Sequence, residues 1–156
     1  MTPSLDNPLT PQTIASRWAD GWNASDQSLL ATLFTADATY TDLAVFRDVV
    51  GTEGITAFRV GSDELIADIH LEVLNTFGAD GQVAIESLYS GWLRGAPRPF
   101  TVRGTTILRM RDGLIAADTD NYSLATVLQQ SGLPADWSPG EPADDIDGTD
   151  DGEVTR

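Results

Sequence analysis

The sequence predicts an α+β fold: a cone-shaped, curved antiparallel sheet with N-terminal helices packed on it, enclosing a pocket. Three observations carry that expectation. Apart from one short strand, apolar residues recur at helical spacing before residue 60, strand-like segments fill residues 69–122, and no helix interrupts that second run. A strongly curved sheet covered by helices closes a cone, with one face inside and the other open to solvent or to a second subunit. The chain has 156 residues, enough for one domain with a real core.

Residues 1–9 read as a flexible lead-in. Thr10-Pro11 is a helix start, an N-cap followed by proline at the first helical position. Ile14, Trp18 and Trp22 then recur every four residues, with Ala15 alongside, as one apolar stripe. Asn23-Ala24-Ser25 breaks this helix, and Asp26 is placed to cap a second one carrying Leu29, Leu30 and Leu33. Ala38–Asp42 has the β-branched and aromatic content of a short strand, on which Tyr40 and Asp42 point the same way. Gly51-Thr52 opens a third helix, with Thr52 as N-cap and Ile55 and Phe58 on the buried side.

From Ile69 the pattern changes. Ile69–Phe77, Val83–Leu93, Phe100–Arg111 and Leu114–Tyr122 read as four consecutive antiparallel strands. Ala79-Asp80-Gly81, Arg94–Pro99 and Asp112-Gly113 supply the turns between them. Leu124–Ser131 is a short last helix, stopped by Gly132 and Pro134. The cone domain is therefore expected over residues 10–134. Residues 135–156, with eight acids and one arginine, are expected to form an acidic disordered tail.

Composition narrows the chemistry. The chain has no cysteine and no lysine, and His70 is its one histidine. Thiolate nucleophiles, Schiff-base lysines and sites needing two imidazoles are excluded. Asp, Glu, Tyr, Arg and water must do the work, and no cofactor is expected. A formal charge of −15 opposes nucleic-acid binding. No segment approaches the roughly 18 apolar residues of a membrane span, and MTPSLDNPLTP lacks the regions of a signal peptide. A cytoplasmic protein without nucleic-acid or membrane partners is the expectation.

The richest stretch is Arg111–Tyr122. In its strand, Ala116, Asp118, Asp120 and Tyr122 share one side, and Ile115, Ala117, Thr119 and Asn121 the other. If the first side faces solvent, it carries no chemistry. If it lines a cavity, the carboxylates disfavour each other's ionisation and one becomes a proton donor or acceptor near neutral pH. Asp118 either raises the pKa of Asp120 or sits wet at an open rim. Tyr40 and Asp42 either face that strand across a pocket or pack a core and cap a loop. Trp18, Trp22 and Trp92 read as core. His70, alternating with Asp68 and Glu72, reads as an exposed sheet face. Asp42, Asp118 and Asp120 are oxygen ligands of the kind magnesium or calcium takes, but their spacing does not require a metal.

Several segments together resemble a known family. They are Trp18…Trp22-Asn23…Asp26, Leu33-Phe34…Asp37-Ala38-Thr39-Tyr40-Thr41-Asp42 and Gly51…Ile55…Phe58. The Glu86…Gly91 strand, Gly104, Asp112-Gly113-Leu114-Ile115 and Leu128–Leu133 complete the set. In order and spacing they resemble the SnoaL-like polyketide cyclases, within the cone-shaped superfamily of nuclear transport factor two, over about residues 10–134. The resemblance implies a catalytic aspartate on the last strand, seven residues after the turn glycine, which is Asp120. The limonene epoxide hydrolases are similar: they place a water-activating aspartate at that point and a Tyr-x-Asn on the early strand, here Tyr40-Thr41-Asp42. Their Arg-x-Asp falls around Ile85–Ser87, where this chain offers Glu86 and no arginine. The base of the steroid isomerases matches Asp42, but their oxyanion-hole groups fall on Trp18 and near Gly104-Thr105, so that activity is disfavoured.

The resemblance thus implies Asp120, Asp42 and Tyr40 as catalytic residues. Trp18, Phe58, Glu86, Asp118 and Tyr122 are the candidates for binding an apolar small-molecule substrate. A homodimer through the outer sheet face is also implied. Cyclase, epoxide hydrolase and non-catalytic binding module remain the alternatives.

Overall fold

Thr10 caps the first helix through its hydroxyl, which accepts from Thr13 N at 3.1 Å, and Pro11 takes the first helical position. In this computed structural model, which describes residues 9–139, helix α1 (Pro11–Asn23) buries Ile14, Ala15, Trp18 and Trp22, the stripe its spacing dictates. Asp26 accepts from Ser28 N at 3.0 Å and closes only the turn before the next segment, whose cap is Leu29 without a side-chain bond. That segment is only a 3-10 turn, Leu30–Leu33, because strand β1 (Phe34–Asp42) begins at the next residue.

A four-residue strand, β2 (Arg47–Val50), turns back on β1 and pairs Thr39 with Val50 and Asp42 with Arg47. It is a short edge strand with charged residues, which conceals any alternation. Helix α2 (Gly51–Leu65) comes directly after it. Its cap is Val50, without a side-chain bond, so Thr52 lies inside the first turn instead of capping it. Gly51, at φ +77°, lets the chain swing from strand into helix.

The meander is β3 (Ile66–Ala79), β4 (Gln82–Leu93), β5 (Phe100–Arg111) and β6 (Leu114–Tyr122), closed by α3 (Leu124–Ser131). Ser123 caps α3 by accepting from Thr126 N, and Gly132 ends it in the left-handed region. β3 starts three residues earlier than its apolar pattern suggests, with an irregularity around Asp68. The sheet order is β2-β1-β6-β5-β4-β3. Every pairing is antiparallel except β1 with β6, which run parallel. That one pairing sets Tyr40 beside Asp118 and Asp42 beside Asp120.

Alternation along β4 and β5 sends Val83, Ile85, Ser87 and Leu93, and Phe100, Val102, Thr106 and Leu108, to the interior. Two apolar clusters result: one under α1 and α2, the other between α3 and the far end of β4 and β5. Gly91 lies where a Cβ would meet Ile66 Cγ2 at 2.5 Å, so this close approach needs a residue without a side chain.

Three further expectations change. Ile115 is buried in the first cluster, on the side of Asp118, because the β5–β6 register shifts between Arg109 and Met110. Trp92 is no core residue; it is exposed on the outer face, its indole N–H donating to Ala96 O at 2.7 Å. Packing also continues past residue 134, since Trp137 lies against the second cluster. The expected lead-in over 1–8 and the tail beyond 139 lie outside the described residues. Among the described residues, no helix is long and apolar enough to cross a membrane.

Candidate active site

Strand β6 turns Asp118, Asp120 and Tyr122 inward, so the polar face of the Arg111–Tyr122 stretch is the interior face. Asp118 is only 1% exposed. Its Oδ2 accepts from the Trp18 indole N–H at 2.9 Å, and its Oδ1 is buried without a hydrogen-bond partner. Asp118 and Asp120 lie two residues apart on the same face of β6, and two buried carboxyls so placed are least costly when they share one proton. Burial, reinforced by the Asp120 charge, pushes Asp118 well above the usual carboxylate range. Asp118 is therefore the neutral, donating member.

Asp120 is the member that ionises. Tyr40 OH donates to its Oδ2, and Thr106 Oγ1 donates to its Oδ1 at 2.5 Å. Burial raises its pKa while the donors Asp118, Thr106 and Tyr40 oppose that rise. Tyr40, 1% exposed, is held in its neutral form by burial and by the surrounding acids. These three donors aim one carboxylate into the cavity.

Asp42 sits beside Asp120 on the neighbouring strand. Its Oδ1 accepts from Ala44 N at 2.9 Å and Val45 N at 3.3 Å, as a strand-end carboxylate closing a turn. Its Oδ2 accepts from Tyr122 OH at 3.2 Å. Burial and the Asp120 charge push the Asp42 carboxyl up to about 6, against the pull of those donors. Burial also raises Tyr122 and Tyr89, so both stay neutral donors.

The cavity measures ≈ 180 Å³. Trp18, Trp22, Phe58, Tyr89, Phe100 and Tyr122 supply aromatic walls, with Asp42 and Asp120 among them. Tyr89 stands edge-on to Phe100 and to Tyr122, with centroids 5.1 and 5.2 Å apart. The buried Arg59 does not reach in. Its guanidinium donates to Trp22 O at 2.8 Å and Ala24 O at 3.1 Å and pairs with Asp63 at 2.5 Å. Among the described residues, no lining side chain is basic and no acid or histidine group is arranged for a metal ion.

Asp42, Asp120, Trp18, Phe58 and Tyr122 thus meet at one cavity. Tyr40 and Asp118 stand behind it, touching lining residues that include Asp120 and Trp18. Glu86 is removed from the set: it lies on the outer face of β4 and meets Arg103 at 4.0 Å across exposed surface. Its even position on a strand whose odd positions are buried puts it there. Tyr89, Phe100 and Thr106 belong to the site without having been singled out. The alternation of β4 and β5 would have placed them inside, but not given Thr106 its role on Asp120.

A small cone with a carboxyl cluster at the foot of an aromatic cavity is the class of protein this geometry defines. The family model for the SnoaL-like domain matches residues 15–117, and the chain belongs to that family. A solved structure of a protein with a ketosteroid isomerase-like fold from Catenulispora acidiphila DSM 44928, in complex with trimethylamine, is 42% identical. It aligns at a TM-score of 0.80 over 81% of this chain and 97% of that one. IdmH from Streptomyces antibioticus, a candidate polyketide cyclase, is 20% identical at TM-score 0.68, over 79% of this chain and 99% of its own. A candidate SnoaL-like polyketide cyclase from Jannaschia sp. CCS1 is 18% identical at 0.71, over 81% and 96%. These last two share the fold. No curated protein matches the chain.

A raised carboxyl pKa has a consequence for stability. A group whose folded pKa lies above its unfolded one stabilises the fold fully below the unfolded pKa, and that contribution is lost as pH rises through the folded pKa. For Asp42 the window runs from about 4 up to about 6. Asn at that position keeps an oxygen for the two amides and carries no charge. Asp42→Asn should therefore exceed the wild type in stability by roughly 2–3 kcal/mol at pH 8 and match it near pH 4. Denaturant titrations of both proteins at the two pH values check this; a variant less stable at pH 8 would show that Asp42 is held ionised.

Proposed function

We propose that the protein is a cofactor-independent enzyme that uses aspartate acid–base catalysis to close a carbon–carbon ring in a mainly apolar small molecule, as in polyketide cyclisation. The observation that carries the reading is the Asp120 carboxylate, held by Tyr40, Thr106 and Asp118 and open to an aromatic cavity. Asp120 takes a proton from the carbon next to a substrate carbonyl. The enolate attacks a second carbonyl within the molecule, and the new alkoxide recovers the proton. Asp42 in its protonated form is the donor placed to stabilise the enolate oxygen, and the Tyr122 hydroxyl holds it in place. Tyr40 is a positioning residue in this scheme, because its hydroxyl is spent on Asp120.

Epoxide opening is less well supported. It would rest on Asp120 activating water and Asp42 protonating the epoxide oxygen, since Glu86 lies outside the cavity. A different second reading is favoured by the trimethylamine in the Catenulispora acidiphila relative: the cavity holds a small molecule without transforming it. The carboxyl cluster argues only against a pocket meant for apolar contact alone, which has no use for it.

The outer sheet face exposes Phe77, Trp92 and Ile107, which supports a homodimer through that face. Sedimentation at micromolar concentration should give twice the monomer mass; a monomer would contradict this. Asp120→Asn should leave the fold intact and lower cyclisation turnover by about 10²–10⁴-fold. Turnover within a few-fold of wild type would remove Asp120 from the mechanism and favour the binding reading.

A further inference from the structure

Resting on the reading that this cavity is the working site, we propose that its ligand is an organic cation, a compact alkylated amine whose nitrogen lies between Asp42 and Asp120 and the aromatic walls. The first ground is a missing counter-charge. Asp42 and Asp120 both line the cavity, yet every group bonded to them is neutral: Thr106, Tyr40, Asp118, Tyr122 and the amides of Ala44 and Val45. An ionised carboxylate in a closed apolar site is costly unless paired. The charged groups around them leave that place open. β1 brings Asp42 and Tyr40, β6 brings Asp118, Asp120 and Tyr122, and β4 brings Tyr89. α1 contributes only the Trp18 N–H, and the walls from β5 and α3 are uncharged. On α2, Arg59 lies over the Trp22 ring at 5.3 Å, already paired with Asp63.

The second ground is the wall. Tyr89, Phe100 and Tyr122 stand edge to face around one end, and Trp22 and Phe58 meet at 89° at another. Rings at right angles turn π faces in several directions, the arrangement that attracts alkylated ammonium groups. The cavity therefore fits an alkylated amine better than a plain hydrocarbon.

The test compares choline with its uncharged carbon isostere, 3,3-dimethylbutan-1-ol, by calorimetric titration of the full chain. At pH 8 choline should bind at least tenfold more tightly. At pH 5, with Asp42 largely protonated, that advantage should shrink by tenfold or more while the isostere is unchanged. Asp42→Asn, confirmed as folded, should lose most of the advantage at pH 8. Equal or tighter binding of the isostere, or no binding of choline, would overturn the proposal. The acid–base reading fails separately: it is lost if Asp120→Asn leaves turnover within a few-fold of wild type, whatever binds.

Discussion

Three carboxyls share one face of a sheet with no cation beside them, and the surrounding structure answers to that constraint. An isolated interior carboxylate takes up a proton rather than stay charged. Asp118 does so, and its proton becomes a hydrogen bond for its neighbour. The Trp18 indole fixes the other Asp118 oxygen across 100 residues of sequence, tying α1 to β6 at the point where charge is least tolerable. Asp120 can then ionise because Asp118, Tyr40 and Thr106 share its charge. Asp42, better supplied with backbone donors, remains close to neutral pH in its titration.

The fold is arranged to bring these groups together. Parallel pairing of β1 with β6 closes the meander and aligns Asp42 with Asp120. The register shift in β6 lets Ile115 and Asp118 both face inward, so the strand packs a core at one end and presents acids at the other. Helices α1 and α2 exclude water from the acids, and α3 with Trp137 walls the mouth. Low polarity strengthens each interaction inside, including the mutual repulsion that raises the pKa values.

The strands of the second half were legible because turns and helix ends carry their own chemistry. Asp112 and Gly113 both take positive φ, the turn that residue pair favours, and β5, β6 and α3 begin and end where the sequence places them. β2 was hidden because a four-residue edge strand carries too little pattern. The parallel closure was hidden because local periodicity does not name a strand's partner. Glu86 shows the limit of resemblance: a matching position in the chain placed it in the site, while strand parity sends it to solvent. Asp120, Asp42 and Tyr122 were recoverable from alternation combined with resemblance. The role of Thr106 was not, because a single threonine in a strand becomes informative only when its cross-strand neighbour, Asp120, is known.

The chemistry of the site depends on the protonation of its acid cluster, and carboxyl-carbon NMR of aspartate-labelled protein measures that directly. With signals assigned through Asp42→Asn, Asp118→Asn and Asp120→Asn, Asp42 should titrate with a midpoint near 6. Asp118 should be the last of the three to lose its proton. Ordinary midpoints near ~4 for all three would mean that water or a counter-charge reaches the cluster, and would contradict a buried, proton-sharing site.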